Sequence, residues 1–412
     1  MTIDQLFDQR VGHHQNSDPQ INSKKSLAET GFGVQPENRE DTMNVQLDKN
    51  TQRPRHRRVT ISDVSEALGI TKSTVSRALN DYSDISEGTR LRVRRMADSM
   101  GYRPLSHAQA IRTGLVKSLG LVIQMADHDA QRPFLPEFLS GLSQGASAEG
   151  WTLTIAAAND PASTLETFQT LINDRKVDGF VLPRTQTEDP RIDLLRSTGV
   201  PFVLFGRSPD PTDCCWFDVL GEDAMRDAVH HLYNLGHRHI GFINGGMHYT
   251  YAPIREVGFI DAMTELGLTI NPDHLRENAV TIEDGAKAAL EILTGPGTPP
   301  SAIICAVDIA ALGVYRTAES LGLTIGRDLS VISYDGIPEG AHIAPPLSTH
   351  SVDHTACGRR LAEILIQRIR GAAPETLRET TNASSADWTT SNVAAPLSPV
   401  RILRPGSLNR AT

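Results

Sequence analysis

Seven short runs of nearly unbroken apolar character constrain this chain more than any other feature: SLGLVI (118–123), LTIAAA (153–158), DGFVLP (178–183), FVLFG (202–206), IGFING (240–245), AIICAV (302–307) and SVISYD (330–335). A strand with one wet face alternates, whereas a continuous run must be covered on both faces, as in the interior of a parallel sheet. Most of the runs are separated by segments with helical apolar spacing, the alternation of an α/β fold. Seven strands suit two sheets better than one. From Ser118 onward the chain is therefore expected to form a pair of Rossmann-like subdomains with a cleft between them. Ligands in such sheets sit beyond the carboxyl ends of the strands.

Ahead of this core lies RVTISDVSEALGITKSTVSRALN, residues 58–80. Ile61, Val64, Ala67 and Leu68 recur at helical spacing, Gly69 breaks the run, and Thr71 stands where an N-cap opens a second helix. Val75, Ala78 and Leu79 form that helix's apolar face, which leaves Lys72, Ser73, Thr74, Ser76 and Arg77 pointing outward. Short polar groups with two cations at a helix start suit base edges and phosphates in a major groove; a short amphipathic pair can equally be plain core. A third helix opens at Ser86 and runs to about Met100, with Val93, Met96, Ala97 and Met100 on one face and Gly101 closing it.

Charge layout favours the nucleic-acid alternative. The net charge is −9, yet residues 53–117 carry 13 Lys or Arg against six Asp or Glu, while 118–412 carry 22 against 35. A basic footprint on one small domain, with an acidic remainder, is the distribution expected of a DNA reader. Residues 1–57 read as a disordered extension, polar and without apolar period. Its last residues, with Arg58, form the run RPRHRR, either a solvated arm or a phosphate-contacting tail. Four cysteines, two of them adjacent, make no disulfide framework. No 18-residue apolar run and no basic-then-apolar leader occur, so a cytoplasmic protein that spans no membrane is expected. His230, His231, His237 and His239 invite a metal reading, but Gly236–Ile240 is a helix end leading into a strand with no Cys or carboxylate at ligand spacing beside it, so neither metal nor cofactor is expected. Nothing assembles a nucleophile with a base, so neither is an enzyme.

VTISDVSEALGITKSTVSRALN, followed by ISEGTRLRVRRMADSMGYRP and AIRTG, resembles the headpiece of the LacI/GalR (lactose-repressor type) transcriptional regulators, and the likeness continues to about Arg370. The resemblance implies an all-α helix-turn-helix headpiece (58–104), a hinge (105–117) that orders on DNA, and a periplasmic-binding-protein-like core. It places Lys72 and Ser73 at the base-reading positions and Thr74, Ser76 and Arg77 at supporting base or phosphate contacts. Thr60, Thr71, Asn80 and Tyr102 complete the expected DNA site, and Ile111 is its minor-groove wedge. Two departures stand out: the wedge is usually Leu, and Leu105 replaces a common Asn.

In the cleft the resemblance implies Arg255 as a hydroxyl-clamping arginine and Asp335 as a carboxylate for sugar hydroxyls. Strand ends add Asp308, Phe134 as a stacking ring, Arg207 beside an unusual Gly206, and Trp216 as an aromatic platform. Val307 replaces the family's ligand-binding Asn. The partners implied are double-stranded operator DNA, a second copy of the chain, and a small sugar, an α-glucoside or related oligosaccharide. The expected function is a sugar-released homodimeric repressor. Rival readings are an activator or co-repressor-dependent global regulator of carbohydrate metabolism, and a solute-binding receptor; the receptor predicts an export signal and no basic headpiece. Residues 372–412, rich in Thr, Ser, Ala and Pro, read as a disordered tail lacking the family's last strand.

Overall fold

A computed structural model describes residues 59–102, 114–125, 134–385 and 393. These residues fall into two compact units, 59–102 in one and those from 114 onward in the other.

In the first, α1 (Ile61–Leu68), α2 (Lys72–Leu79) and α3 (Glu87–Ser99) enclose Val64, Val75, Ala78, Val93 and Ala97. Each helix starts on a hydroxyl cap: Thr60 in a capping box with Asp63, Thr71 accepting from the Thr74 amide, and Ser86 accepting from the Thr89 amide. Gly69 ends α1 at φ +63°, a left-handed value that costs glycine nothing. Ala67, expected on the apolar face, is exposed, and Ser65 is buried in its stead. Its hydroxyl donates to the Ser62 carbonyl 2.8 Å away, which is what lets a polar side chain turn inward.

The second unit holds two wholly parallel sheets. The first has the order β11-β5-β4-β3-β1-β2, from β1 (Ser118–Gln124), β2 (Thr152–Ala158), β3 (Gly179–Leu182), β4 (Phe202–Phe205), β5 (Trp216–Val219) and β11 (Arg378–Thr381). The second has the order β10-β9-β8-β6-β7, from β6 (Ile240–Ile243), β7 (Leu275–Arg276), β8 (Ala302–Cys305), β9 (Ser330–Asp335) and β10 (Ser348–Ser351). Helices α4 (Leu135–Ala148), α5 (Pro161–Asn173), α6 (Pro190–Thr198) and α11 (His354–Ile369) go with the first subdomain. The second takes α7 (Gly221–Asn234), α8 (Tyr251–Glu265), α9 (Ile282–Thr294) and α10 (Asp308–Ser320). The chain passes between subdomains after Val219, after Ser351, and again beyond Thr381, where Ser384 bridges Ser351.

All seven apolar runs are strands, and four more strands join them. Three of the four, LR, STHS and RETT, are sheet edges, paired on one side only, and need no continuous apolar run. RETT overturns the expectation that the chain is disordered from 372 and lacks its last strand. Arg378 aligns with Trp216 in parallel register and stacks over its ring at 4.6 Å. Glu379 accepts two hydrogen bonds from Arg360, at 2.6 and 2.8 Å. Side-chain ion pairing holds this strand, so apolar pattern does not reveal it. The ordered core runs on through 385, and Val393 is buried in the second subdomain's core.

The expected segments 1–57, most of the hinge with Ile111, and 386–412 apart from Val393 lie outside the described residues. Among the described residues no helix is long and apolar enough to cross a membrane.

Paired helices cross at glycines. A Cβ on Gly141 of α4 would fall on the carbonyl oxygen of Thr355, and one on Gly258 of α8 on that of Glu222. Backbone cannot retreat as a side-chain tip can. Gly258→Ala should therefore lower stability by about 1–3 kcal/mol, read as a shifted midpoint in urea unfolding with unchanged slope.

Candidate DNA-reading surface and inter-subdomain cleft

Helix periodicity sorts α2 into two faces. Val75 and Ala78 are buried, while Lys72, Ser73 and Arg77 are exposed and Thr74 and Ser76 half-exposed. The Lys72 and Ser73 side chains make no hydrogen bond or ion pair with any described residue. Thr71 and Thr74 share a hydroxyl hydrogen bond of 2.9 Å that fixes the helix entry. Arg77 is engaged within the unit, paired with Asp84 and lying over the Tyr82 ring at 5.3 Å. Asn80 donates from its side chain to the Ser76 carbonyl at 2.7 Å, Thr60 bonds Asp63, and Tyr102 packs half-buried against the helix core. The expected DNA residues thus separate into an outward set on α2 and a set, Thr60, Asn80 and Tyr102, whose visible work is to close helix ends or the core.

In the second unit a cavity of about 150 Å³ opens between the carboxyl ends of the two sheets. Arg255, one turn into α8, is 8% exposed. Its guanidinium lies between the rings of Tyr334 (3.8 Å) and Tyr251 (4.6 Å), a cation–π sandwich in place of a tight ion pair. One Nη donates to the Ala306 carbonyl, the other stands 3.8 Å from Asp335, and Nε has no partner among the described residues. Asp335 ends β9 at φ +131°, a backbone region that side chains rarely adopt. Burial pushes its carboxyl up to about 7, against the pull of Arg255.

Asp308 is placed differently from expectation. It is fully buried, does not line the cavity, and accepts from the amides of Gly336 (2.8 Å) and Ile337 (2.9 Å) and from the Thr349 hydroxyl (2.7 Å). It organises the turn that presents Asp335. Trp216 also stays out of the cavity, because β5 packs it against the first sheet's core under Arg378. Arg207 lines the wall, but Nε donates to Asp218 (2.6 Å) and Nη2 to both Glu222 oxygens (2.8 Å each). Phe134 and Asp335 do face the cavity, as does Val307, so the wall is apolar at that point.

The cavity adds residues that sequence reasoning missed: Arg184, Thr185, Phe205, Thr250, Tyr251, Tyr334 and His354. Arg184 and Tyr334 stand at strand ends and could have been found by that rule. Tyr251 and His354 open helices whose placement only the packing of the two subdomains fixes. His354 begins α11 where the chain re-enters the first subdomain. Its ring lies 5.1 Å from Phe134 and 6.3 Å from Phe205, Nδ1 has no partner among the described residues, and burial pushes the imidazole down to about 4, so it is neutral.

A helix-turn-helix unit followed in one chain by a two-lobed α/β core is the architecture of a transcription regulator. Residues 60–105 match the bacterial regulatory proteins of the lacI family, and 229–384 match a periplasmic binding protein-like domain. The chain is 34% identical to the HTH-type transcriptional regulator AglR of Rhizobium meliloti (strain 1021), over 77% of this chain and 90% of that one. Among solved structures, the lac repressor dimer bound to operator and the anti-inducer ONPF aligns with a TM-score of 0.68 at 24% identity, covering 82% of this chain and all of that one. The transcriptional regulator CelR–cellobiose complex aligns with a TM-score of 0.60 at 24% identity, covering 79% of this chain and 98% of that one. The chain belongs to the LacI family.

His354→Phe should keep the ring packing while removing a buried nitrogen that no described residue satisfies. The unliganded variant is expected to melt at a higher temperature, a gain of about 1 kcal/mol, measured by calorimetry; a lower melting temperature would show that the imidazole nitrogen stabilises the fold.

Proposed function

We propose that the protein is a homodimeric transcriptional repressor that binds a pseudo-palindromic operator through residues 58–80, with the hinge in the minor groove, and leaves it when a small sugar occupies the cleft. What carries this reading is one chain that joins an uncommitted Lys72–Ser73 face on α2 to a cavity whose Arg255 is held in place by two aromatic rings. Two half-sites call for two copies of the reader. Release is linkage: a sugar that prefers the form with low operator affinity shifts the population toward it, with a coupling of about 1–3 kcal/mol, or roughly 5- to 150-fold. The carboxylate of Asp335 accepts from sugar hydroxyls, Arg255 donates to them, and Phe134 offers a ring face. The lac repressor on its operator and CelR with cellobiose share this fold, which supports the reading. α-Glucosides and related oligosaccharides are the effectors to try first.

Fluorescence anisotropy on the promoter fragment upstream of its own gene, with a sugar panel, tests this. One sugar should weaken binding by roughly tenfold or more, and Lys72→Ala should weaken it without any sugar. A panel that leaves affinity unchanged, or raises it, overturns release by sugar.

Because burial brings the Asp335 carboxyl up to about 7, pH enters with a definite sign. Sugar hydroxyls donate to the ionised form, so bound sugar lowers that pKa, and affinity should fall from about pH 8 to about pH 6. Titration calorimetry across that range should show the slope in the wild type and a flat, weaker profile in Asp335→Asn.

A further inference from the structure

Two loops from different subdomains meet at the edge of the cleft. After β3 come Thr185, Gln186 and Thr187; after β6 come His248, Tyr249 and Thr250. The Thr250 amide and hydroxyl donate to the Thr185 carbonyl (3.0 and 3.2 Å), and the Thr187 amide and hydroxyl donate to the His248 carbonyl (2.9 and 3.3 Å). Gln186 and Tyr249 pair between them as an antiparallel bridge. This is a clasp that ties one subdomain to the other through backbone.

Arg184 precedes the clasp, and its surroundings differ from those of every other arginine nearby. Arg191 is held by Asp189 and the carbonyls of Pro183 and Arg184, Arg207 by Asp218 and Glu222, and Arg255 by the Ala306 carbonyl. The Arg184 side chain forms no hydrogen bond or ion pair with any described residue. Its Nε is buried without a partner, and its guanidinium lies over the Tyr249 ring at 4.2 Å. The backbone holds it at φ +53°, an uncommon value for a side-chain-bearing residue. It lines both the main cavity and a smaller one that reaches Gln124 and Gln186. Its charge acts on Asp335 and Tyr251. A buried guanidinium nitrogen left without an acceptor is costly, and such a group in a native site calls for an explanation.

We infer that Arg184 is a ligand-reading residue: its guanidinium donates to an oxygen of the bound neutral sugar and, through Tyr249, couples occupancy of the cleft to the Thr185–Thr187/His248–Thr250 clasp. This rests on the sugar reading above. Asp335 already supplies a carboxylate to the same cavity, which opposes an anionic ligand. A hydroxyl can accept from Arg184 while donating to Asp335, so a neutral polyol satisfies both.

The test uses the full chain, titrated by calorimetry with maltose, sucrose, trehalose, melibiose, cellobiose, raffinose and, as an anionic control, glucose 6-phosphate. Hydrogen exchange is followed over 183–190 and 246–252. Arg184→Met keeps side-chain length and contact with Tyr249 but removes the donors. It should leave the melting temperature of the unliganded protein near wild type and weaken the sugar that wild type binds by roughly tenfold or more. That sugar should slow exchange in both segments of the wild type and in neither segment of the variant. Arg184→Lys, which keeps charge without the planar fork, should fall between the two, and it decides the matter if the Met variant unfolds. Wild-type affinity in both variants, or slowed exchange that persists in Arg184→Met, overturns the role of Arg184 and leaves sugar binding standing. Binding of glucose 6-phosphate in preference to every neutral sugar overturns the neutral-ligand assignment. If wild type binds none of the panel, the sugar reading falls and this inference with it.

Discussion

The buried carboxylate of Asp308 is the point on which the floor of the cleft depends. It sits in the first turn of α10, where the helix dipole favours negative charge, and collects two amides from the turn after β9 and a hydroxyl from β10. Burial raises its pKa while those bonds work to lower it. The two amides anchor the turn that follows the uncommon backbone of Asp335, and so fix where the Asp335 carboxylate stands. A residue with the chemistry of a ligand group thus serves as the scaffold for its neighbour.

Cations in the cleft are arranged by a different rule. Arg255 is stabilised by two aromatic faces and one carbonyl and stays nearly 4 Å from its carboxylate, so neither charge is fully neutralised by the other. Arg207, by contrast, is consumed by Asp218 and Glu222. That triad spans the first passage between subdomains, with Arg207 and Asp218 from one side and Glu222 from α7 on the other. One pair is left available for polar ligands and the other holds the joint, a distinction invisible in a list of charged residues.

The small unit follows simpler physics. Five buried apolar side chains and three hydroxyl caps define it, and the polar face of α2 is what remains when the apolar face is used up. Arg77 shows how an acidic neighbour tempers a basic surface: its guanidinium is already paired with Asp84 and lies over Tyr82.

Local pattern by itself determined the three capped helices and seven of the eleven strands, because caps act over three or four residues and a strand buried on both faces must be apolar throughout; β2 is apolar although it is an edge, and the inner strand β5 gave no such run. Arg255 and Asp335 were legible through the family resemblance, which marks one position near a helix start and one at a strand end. Tertiary structure decided the rest. Edge strands such as Arg378–Thr381 need a partner on one side only and are held here by Arg360 and Trp216, far off in sequence. Trp216 and Asp308 turned away from the cavity, and Arg184, Tyr251 and His354 turned toward it, because a side chain's exposure to a cleft depends on how two sheets separated along the chain are brought face to face.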